Sequence, residues 1–379
     1  MSTVEPMVVR SPLGWDPVAP KPTKPWAPLA VASAILAALL IAGLFVTLPY
    51  YALAPGSARR VDNLIVANDT TTYPPKGRVL LTTITLYKVN PFEAITGWLR
   101  DDVDVVKERT ILPPDTDDEQ YRKFNVEEMD DSKQTAIVVA LRRLGYQVTE
   151  RGDGALVERV LQEFPANGRL QPGDVIHHID GKPVNLVSDA TSIIATHKAG
   201  DVVRVQVSNP DGTNVRDIDV PVAADPEQGN KPVLGVFLRT QNRRFDKPFE
   251  VDIRSGSIGG PSAGLAFTLG VIDGLTPGEL TGGRKVAVTG TIEIDGRVGD
   301  VGGVAQKTAA VRHAGAEVFL VPAGEYEIAK RKAGRGIVVL KVTTLQEALD
   351  ALASVGGDLG GLSNVGTGQL AAGVPGTDG

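Results

Sequence analysis

The chain has 379 residues, of which 42% are hydrophobic and 22% charged, so it can bury at least one sizeable core and is long enough for two globular domains. Its net charge of -6, without a cluster of lysines and arginines, argues against nucleic acid as a partner, because phosphate binding needs clustered positive charge. The absence of cysteine excludes disulfides, cysteine-based zinc sites and a cysteine nucleophile.

The first element in the chain is an apolar segment without charge between Lys24 and Arg59. About 20 apolar residues cross a bilayer core, so we predict a transmembrane helix over 27–48, after a short N-terminal tail at 1–26. The alternative is a cleaved signal peptide, because Ala52-Leu53-Ala54 has the small-x-small spacing of a cleavage site. We favour the anchor, since the apolar segment is longer than a typical signal core. Positive charges on both sides leave the orientation undecided, and we expect a single-pass protein of the cell membrane with its large domains outside the cytoplasm.

The next segments alternate between strand and helix patterns. The sequence GRVLLTTITLYKV at 77–89 is typical of a strand, and the acidic, proline-containing stretch over 101–131 is interpreted as loop and short helix. Apolar residues at helical spacing predict a helix over 132–146, with Ser132 as its N-cap.

Short strands separated by turn signals follow over 145–225, and Asp211-Gly212 predicts a hairpin. The sequence NGRLQPGDVIHHIDGKPV at 167–184, followed by a helical pattern, resembles a PDZ domain. This resemblance implies a groove, with the helix as one wall, that binds an extended peptide as an added strand. Leu144-Gly145-Tyr146 is either a remnant of the carboxylate-binding loop of such a groove or the end of the preceding helix.

Two histidines in this region, His177 and His178, could suggest a metal site. Adjacent residues on a strand point to opposite faces, so the pair cannot easily hold one ion, and we predict no metal site. The linker-like sequence AADPEQGNKP at 223–232 then leads to alternating strands and helices up to residue 355. The glycine-rich remainder, 356–379, is predicted to be disordered.

The sequence GGPSAGLAF at 259–267 places Ser262 after a glycine pair and a proline, directly before an apolar segment. Proline favours the first turn of a helix, so we predict Ser262 at a helix N-terminus, where free N–H groups can stabilise an oxyanion. A serine hydroxyl needs a base to act as a nucleophile. The four histidines show no Ser-His-Asp order, whereas Lys307 lies on the apolar stripe of a predicted helix over 302–316. Burial would lower the pKa of this lysine; the alternative is a side chain that extends along the helix to water.

Three ordered motifs within 230–355 are similar to the proteolytic domain of the Lon family, whose peptidases use a serine and a lysine. They are GGPSAGLAF, the VTG tripeptide at 288–290 and GGVAQK at 302–307. The resemblance implies that Ser262 is the nucleophile, that Lys307 is the general base and that Thr289 orients the lysine amine. The serine and the lysine lie 45 positions apart, which suits this fold.

The sequence departs from the family pattern in two ways. Gly259-Gly260 lies where Lon proteases usually carry an acidic residue, which can change how the active-site strand is held. The phosphate-binding pattern G-x-x-x-x-G-K-[ST] is absent, so we do not expect the ATP-driven unfolding module of Lon.

The order of apolar anchor, PDZ domain and Lon-like domain is similar to that of a bacterial subfamily of membrane-anchored Lon-like proteases. The implied fold class is a mixed α/β (α+β) Lon-type proteolytic domain, built from 60–144 and 230–355, with a PDZ-like β-rich domain inserted at 145–225 and an N-terminal transmembrane helix. The resemblance also suggests a ring-like homo-oligomer.

We therefore predict an ATP-independent serine endopeptidase that cleaves unfolded or extended polypeptides, needs no cofactor or metal and is more active at alkaline pH as Lys307 loses its proton. The segment FDKPFEVDI at 245–253 is a candidate strand for pairing with the substrate. Two alternatives stay open. One is a catalytically silent, membrane-tethered PDZ scaffold. The other is a Ser-His-Asp protease of the kind that carries PDZ domains, although its G-N-S-G-G motif is absent here.

Overall fold

A computed structural model describes residues 26–113 and 116–363. Most of the predicted N-terminal tail and the end of the predicted glycine-rich tail lie outside these residues. Over these residues the chain divides into two compact units: the first contains the residues up to Leu53 and Leu86–Pro113, and the second contains Ala54–Thr85 and the residues after 115.

The strands, in chain order, are β1 (Tyr50–Arg60), β2 (Ile65–Ala67), β3 (Arg78–Lys88), β4 (Asp104–Lys107), β5 (Thr149–Arg151), β6 (Ala155–Val160), β7 (Val175–Ile179), β8 (Lys182–Pro183), β9 (Val202–Ser208), β10 (Arg216–Pro221), β11 (Ala223–Asp225), β12 (Lys231–Val233), β13 (Val236–Thr240), β14 (Arg244–Asp246), β15 (Val251–Ile253), β16 (Lys285–Val288), β17 (Thr291–Ile292), β18 (Val298–Gly299), β19 (Val318–Pro322) and β20 (Val338–Val342). The α-helices are α1 (Ala27–Phe45), α2 (Pro91–Trp98), α3 (Glu108–Ile111), α4 (Asp118–Arg143), α5 (Val187–Ile194), α6 (Gly264–Leu275), α7 (Val304–His313), α8 (Tyr326–Ala333), α9 (Leu345–Ser354) and α10 (Gly360–Ser363).

The first unit contains α1, α2, α3 and the antiparallel pairing of the start of β1 with β4. Asn90 caps α2 through a reciprocal capping box with Glu93, and the Phe92 ring packs against Gly43 of α1. Helix α1 ends at Phe45, short of the predicted end at residue 48. Over the residues described, no helix is both long and apolar enough to cross a membrane, so the transmembrane helix predicted at 27–48 is not found there.

The second unit is built on a mixed sheet in which β20, β19, β16, β3 and β1 lie side by side in this order. Strand β16 pairs in parallel with both β3 and β19. Successive residues of a strand point to opposite faces, and on β19 Val318 and Leu320 join one core whereas Phe319 and Val321 join another. Helices α4 and α6 cover the first face, and α7 and α8 cover the second.

Helix α4 differs from its prediction. It begins at Asp118, where Asp117 and Gln120 form a capping box, and it runs for 26 residues. The interpretation of 101–131 as loop and short helix is therefore wrong for its second half, and Ser132 is not an N-cap. Ser132 is instead buried in the middle of the helix.

The PDZ-like part of the second unit is a sheet with the order β10-β9-β7-β6-β13 around its own apolar core. The hairpin predicted at Asp211-Gly212 is confirmed, because β9 and β10 pair in antiparallel fashion across it. Strand β13, which lies beyond the predicted domain end at residue 225, pairs with β6 and forms one edge of the sheet.

Two segments predicted to be irregular are ordered. The linker-like 223–232 forms a hairpin from β11 and β12. In the predicted disordered tail, the Asp358 N–H donates to the Glu279 carbonyl oxygen, and Leu362 of α10 is buried in the main core. The rest of that tail lies outside the described residues.

Candidate active site

Ser262 lies in a 3-10 turn, Pro261–Ala263, that leads directly into α6. The preceding Gly260 has a φ of 83°, a conformation that favours glycine. Helix α4 holds this turn from the side: the Gly260 N–H donates to the Asn125 carbonyl oxygen at 2.7 Å, and Ser132 Oγ donates to the Pro261 carbonyl oxygen at 3.0 Å. Ser262 is thus placed, half-buried, at the start of a helix that is buried on nearly all sides, as predicted.

Lys307 is one turn into α7 and is only 2% exposed. The alternative of a lysine side chain that extends to water is therefore wrong. Nζ donates to Thr289 Oγ1 at 3.1 Å. Burial lowers the pKa of Lys307 from its usual 10.5 to about 8, and the negative charge of Glu325 acts in the opposite direction. Near pH 8 this amine can exist as a neutral base.

Thr289 connects the lysine to the serine. Its Oγ1 donates to the Ser262 carbonyl oxygen at 3.3 Å, and the Gly290 N–H donates to the same oxygen at 3.0 Å. Among the described residues, Ser262 Oγ has no hydrogen-bond partner, so no direct bond joins it to Lys307. The structure brings the three predicted site residues together, with Thr289 between the other two, and their catalytic roles stay predictions.

Three further residues border this site and were not among the predicted ones: Asn125 and Ser132 of α4, and Glu325. Thr289 and Glu325 follow the carboxyl ends of β16 and β19, which are parallel neighbours. The carboxyl ends of parallel strands are where open α/β sheets place ligands. A carboxylate three residues after the end of a buried strand was thus a usable signal for Glu325, whereas the α4 residues carried none.

A cleft of about 250 Å³ lies beside the serine turn, between α4 and the segment 252–258 that precedes it. Its apolar lining comes from Val126, Met129, Ile253 and Ile258, and its charged lining includes Asp130, Lys133, Asp252 and Arg254. Strand β15 forms one wall and pairs with β2 on one edge only; its other edge has no strand partner in the described part of the chain.

A second groove, of about 190 Å³, lies in the PDZ-like part between α5 and β13. Ala190 and Ile194 of α5 face Val236 and Leu238 of β13 across it, so the predicted role of the helix as a groove wall is confirmed. Leu144-Gly145-Tyr146 does not line this groove. It forms the end of α4, where Tyr146 stacks edge-on against Phe249 at 5.1 Å.

The two adjacent histidines have separate polar partners. His177 Nε2 lies 2.8 Å from Ser208 Oγ, and His178 Nδ1 lies 3.0 Å from Gln206 Oε1. No group of three or more potential metal-ligating side chains is present in the residues that the structure describes.

Two family models match parts of this chain. The PDZ domain model matches residues 143–222, and the model of the Lon protease (S16) C-terminal proteolytic domain matches residues 239–351. The chain carries a PDZ domain and a Lon-type proteolytic domain. Ser262, Thr289 and Lys307 all lie within the second match.

The chain is also similar to whole Lon proteases over part of their length. It is 27% identical to Lon protease 2 of Bacillus subtilis (strain 168) over 188 residues, which cover 41% of this chain and 33% of that protein. It is 28% identical to Lon protease 2 of Thermus thermophilus over 204 residues, covering 48% and 25%. It is 32% identical to the Lon protease of Clostridioides difficile (strain 630) over 141 residues, covering 37% and 16%. The chain thus spans a third or less of the length of these relatives.

Among solved structures, the PDZ domain of the SdrC-like protein from Listeria monocytogenes is 29% identical to this chain. The match covers 23% of this chain and 87% of that one, with a TM-score of 0.21.

Proposed function

We propose that this chain is a serine endopeptidase that hydrolyses unfolded or extended polypeptides without ATP, with Ser262 as nucleophile and Lys307 as general base. The observation that carries the proposal is the buried contact of Lys307 Nζ with Thr289 Oγ1, whose hydroxyl donates to the Ser262 carbonyl oxygen. This contact holds a lysine of lowered pKa near a serine at a helix start, and such a lysine can supply the base that a serine hydroxyl needs to act as a nucleophile.

In the proposed reaction Ser262 Oγ forms a bond to the substrate carbonyl carbon while its proton passes to Lys307 Nζ. The proton then goes to the amide nitrogen as the C–N bond breaks, which leaves an acyl-enzyme. Water then gives a proton to Lys307 Nζ as its oxygen attacks the acyl carbon. The ester C–O bond breaks, Ser262 Oγ takes the proton from Nζ, and the product acid leaves as a carboxylate after losing its proton to water. Nζ must approach the reacting oxygen in each step, so the lysine has to move from Thr289 Oγ1 toward Ser262 Oγ.

The developing oxyanion needs hydrogen-bond donors that the fold itself does not use. The first N–H groups of a helix or a 3-10 turn have no partner within it, and Pro261 has no N–H. We assign the oxyanion site to the main-chain N–H groups of Ser262 and Ala263 at the start of the turn.

The cleft between α4 and β15 is the proposed substrate site. An extended peptide can add to the free edge of β15 by main-chain hydrogen bonds and place one apolar side chain against Met129 and Ile253. Strand addition requires an extended chain, which supports unfolded polypeptides as the substrates. The groove between α5 and β13 is the proposed site for a second peptide, which would recruit substrates to the protease.

We further propose that the chain works at a membrane, with its two domains outside the cytoplasm. The support is the apolar surface of α1, on which Leu39 is 65% and Phe45 82% exposed. Recovery of the full chain in the soluble fraction after cell lysis would contradict this location. The homo-oligomer suggested by the Lon resemblance is tested on the same material by light scattering in detergent.

The decisive experiment is cleavage of an unfolded, carboxymethylated protein by the purified full chain without ATP. Ser262→Ala and Lys307→Ala should each abolish cleavage, because one removes the nucleophile and the other the base. Ser354→Ala and Lys330→Ala remove the same groups from exposed positions and should leave the rate unchanged. Retained cleavage in Ser262→Ala refutes the assignment. A parent chain that cuts nothing but binds peptides favours the scaffold.

A further inference from the structure

Glu325 closes a 3-10 turn, Ala323–Glu325, between β19 and α8. Its Oε1 accepts a hydrogen bond from the Val301 N–H at 3.0 Å, which ties the carboxylate to the loop that starts α7. Its Oε2 is buried and has no hydrogen-bond partner within the described residues. A buried polar oxygen without a partner destabilises the fold, so its retention calls for a compensating interaction.

Two charged groups act on this carboxylate. Asp300 packs against the main chain of Gly324, where an added Cβ would lie 2.8 Å from its carboxylate oxygens. The other charged group is Lys307, four residues after Gly303, which precedes α7. Burial raises the pKa of Glu325 and Asp300 adds to this effect, whereas the Val301 N–H and the Lys307 charge act against it. No hydrogen bond joins Glu325 to Lys307, so the two charges interact through space across a buried region, where screening by water is weak.

The proposed reaction places a positive charge on Lys307 Nζ each time the base accepts a proton. The side chain is 2% exposed, so water cannot stabilise that charge, and Thr289 Oγ1 supplies only a neutral acceptor. In the described part of the chain, Glu325 is the one carboxylate that stabilises the protonated amine electrostatically.

On the basis of the proposed Ser262–Lys307 chemistry, we propose that Glu325 is a positioning residue that stabilises protonated Lys307 during the reaction and sets the pH range in which the lysine acts as a base. Glu325, which follows β19, would thereby supply a negative charge to the site. The residues directly before the serine turn supply none, because they are Gly259-Gly260.

The test is the Glu325→Gln variant of the full chain, which keeps the side-chain size and an acceptor for the Val301 N–H but removes the charge. Protonated Lys307 then loses stabilisation, so its pKa falls and the rising limb of the kcat profile moves to lower pH. The ratio of kcat at pH 6.5 to kcat at pH 9.5 should rise about threefold or more, since half a pKa unit changes the neutral fraction by about that factor. The plateau kcat should fall several-fold because the lysine is a weaker base, and KM should stay the same.

Glu327→Gln is the matched control, because it removes an exposed carboxylate two residues away, in α8, and should leave the profile unmoved. Glu325→Asp retains the charge and should keep a limb close to that of the parent. A Glu325→Gln limb at the parent pH, in a folded and active chain, overturns the proposal.

A second measurement separates this proposal from the catalytic one. In the inactive Ser262→Ala chain, NMR of lysine labelled with ¹³C at Cε follows the titration of Lys307, with Lys307→Met to assign the signal. Addition of Glu325→Gln should move that titration to lower pH whether or not Ser262 is the nucleophile. An unmoved titration overturns the role of Glu325 even if the kinetic variant fails to fold.

Discussion

Replacement of the buried lysine by methionine, Lys307→Met, should stabilise the fold at neutral pH although it removes the proposed base. The pKa of Lys307 is about 8 in the folded chain and 10.5 is its usual value, so the unfolded chain binds more protons between these two pH values. The free energy of unfolding of the parent therefore rises with pH across that window and is lowest below it. Methionine has similar length and no charge, so this cost disappears in the variant.

The magnitude follows from the difference between the two pKa values. About 2.5 units correspond to about 3 kcal/mol of stability that the parent lacks at pH 7 and recovers above pH 10.5. The variant also loses the hydrogen bond to Thr289 Oγ1, which reduces this gain in stability by about 1 kcal/mol. Lys307→Met should thus be more stable than the parent by about 2 kcal/mol at pH 7 and less stable by about 1 kcal/mol at pH 11.

The assay is urea unfolding at both pH values. Unfolding is monitored as the loss of hydrogen-exchange protection in peptides of α7. Other titrating groups are common to both chains, so the difference between them isolates the lysine. Lys330→Met, at an exposed position of α8, should show a difference that does not change with pH. A Lys307→Met chain that is less stable than the parent at pH 7, or a gain that persists at pH 11, would refute a buried lysine of lowered pKa.

Three further predictions concern the support of the two sites. Thr289→Val keeps the shape but removes the acceptor of Lys307; kcat should fall about 10- to 100-fold with KM unchanged, which steady-state kinetics on a fluorogenic peptide will show. Gly235→Ala places a Cβ 2.0 Å from Phe164 Cβ at a φ of 81°; calorimetric binding of peptides to the PDZ groove should be lost, while cleavage of a short peptide by the same chain should persist. Ser132→Ala leaves a carbonyl of the serine turn unpaired and should lower the urea stability by about 1–2 kcal/mol, whereas Ser132→Thr, which keeps the hydroxyl, should lose less.

The sequence by itself was sufficient for features that depend on neighbouring residues. The apolar stripe of α7 predicted a buried helix, because helix periodicity is a local property of the chain. The burial of Lys307 follows from that stripe, and the position of Ser262 at a helix start follows from the proline before it. The capping box of α4 was equally local, so its missed start at Asp118 reflects an overlooked signal.

The tertiary structure alone decided the features whose partners lie far apart in the chain. Ser132 has the side chain of a helix cap, yet its hydroxyl bonds a carbonyl 129 residues away. The two walls of the PDZ groove are α5 and β13, which lie more than forty residues apart in the sequence. Strand β13 joins the sheet only through its pairing with β6. Glu325 reaches the loop before α7 because β16 and β19 are parallel neighbours. Such contacts depend on how the chain returns on itself, and local periodicity carries no information about that return.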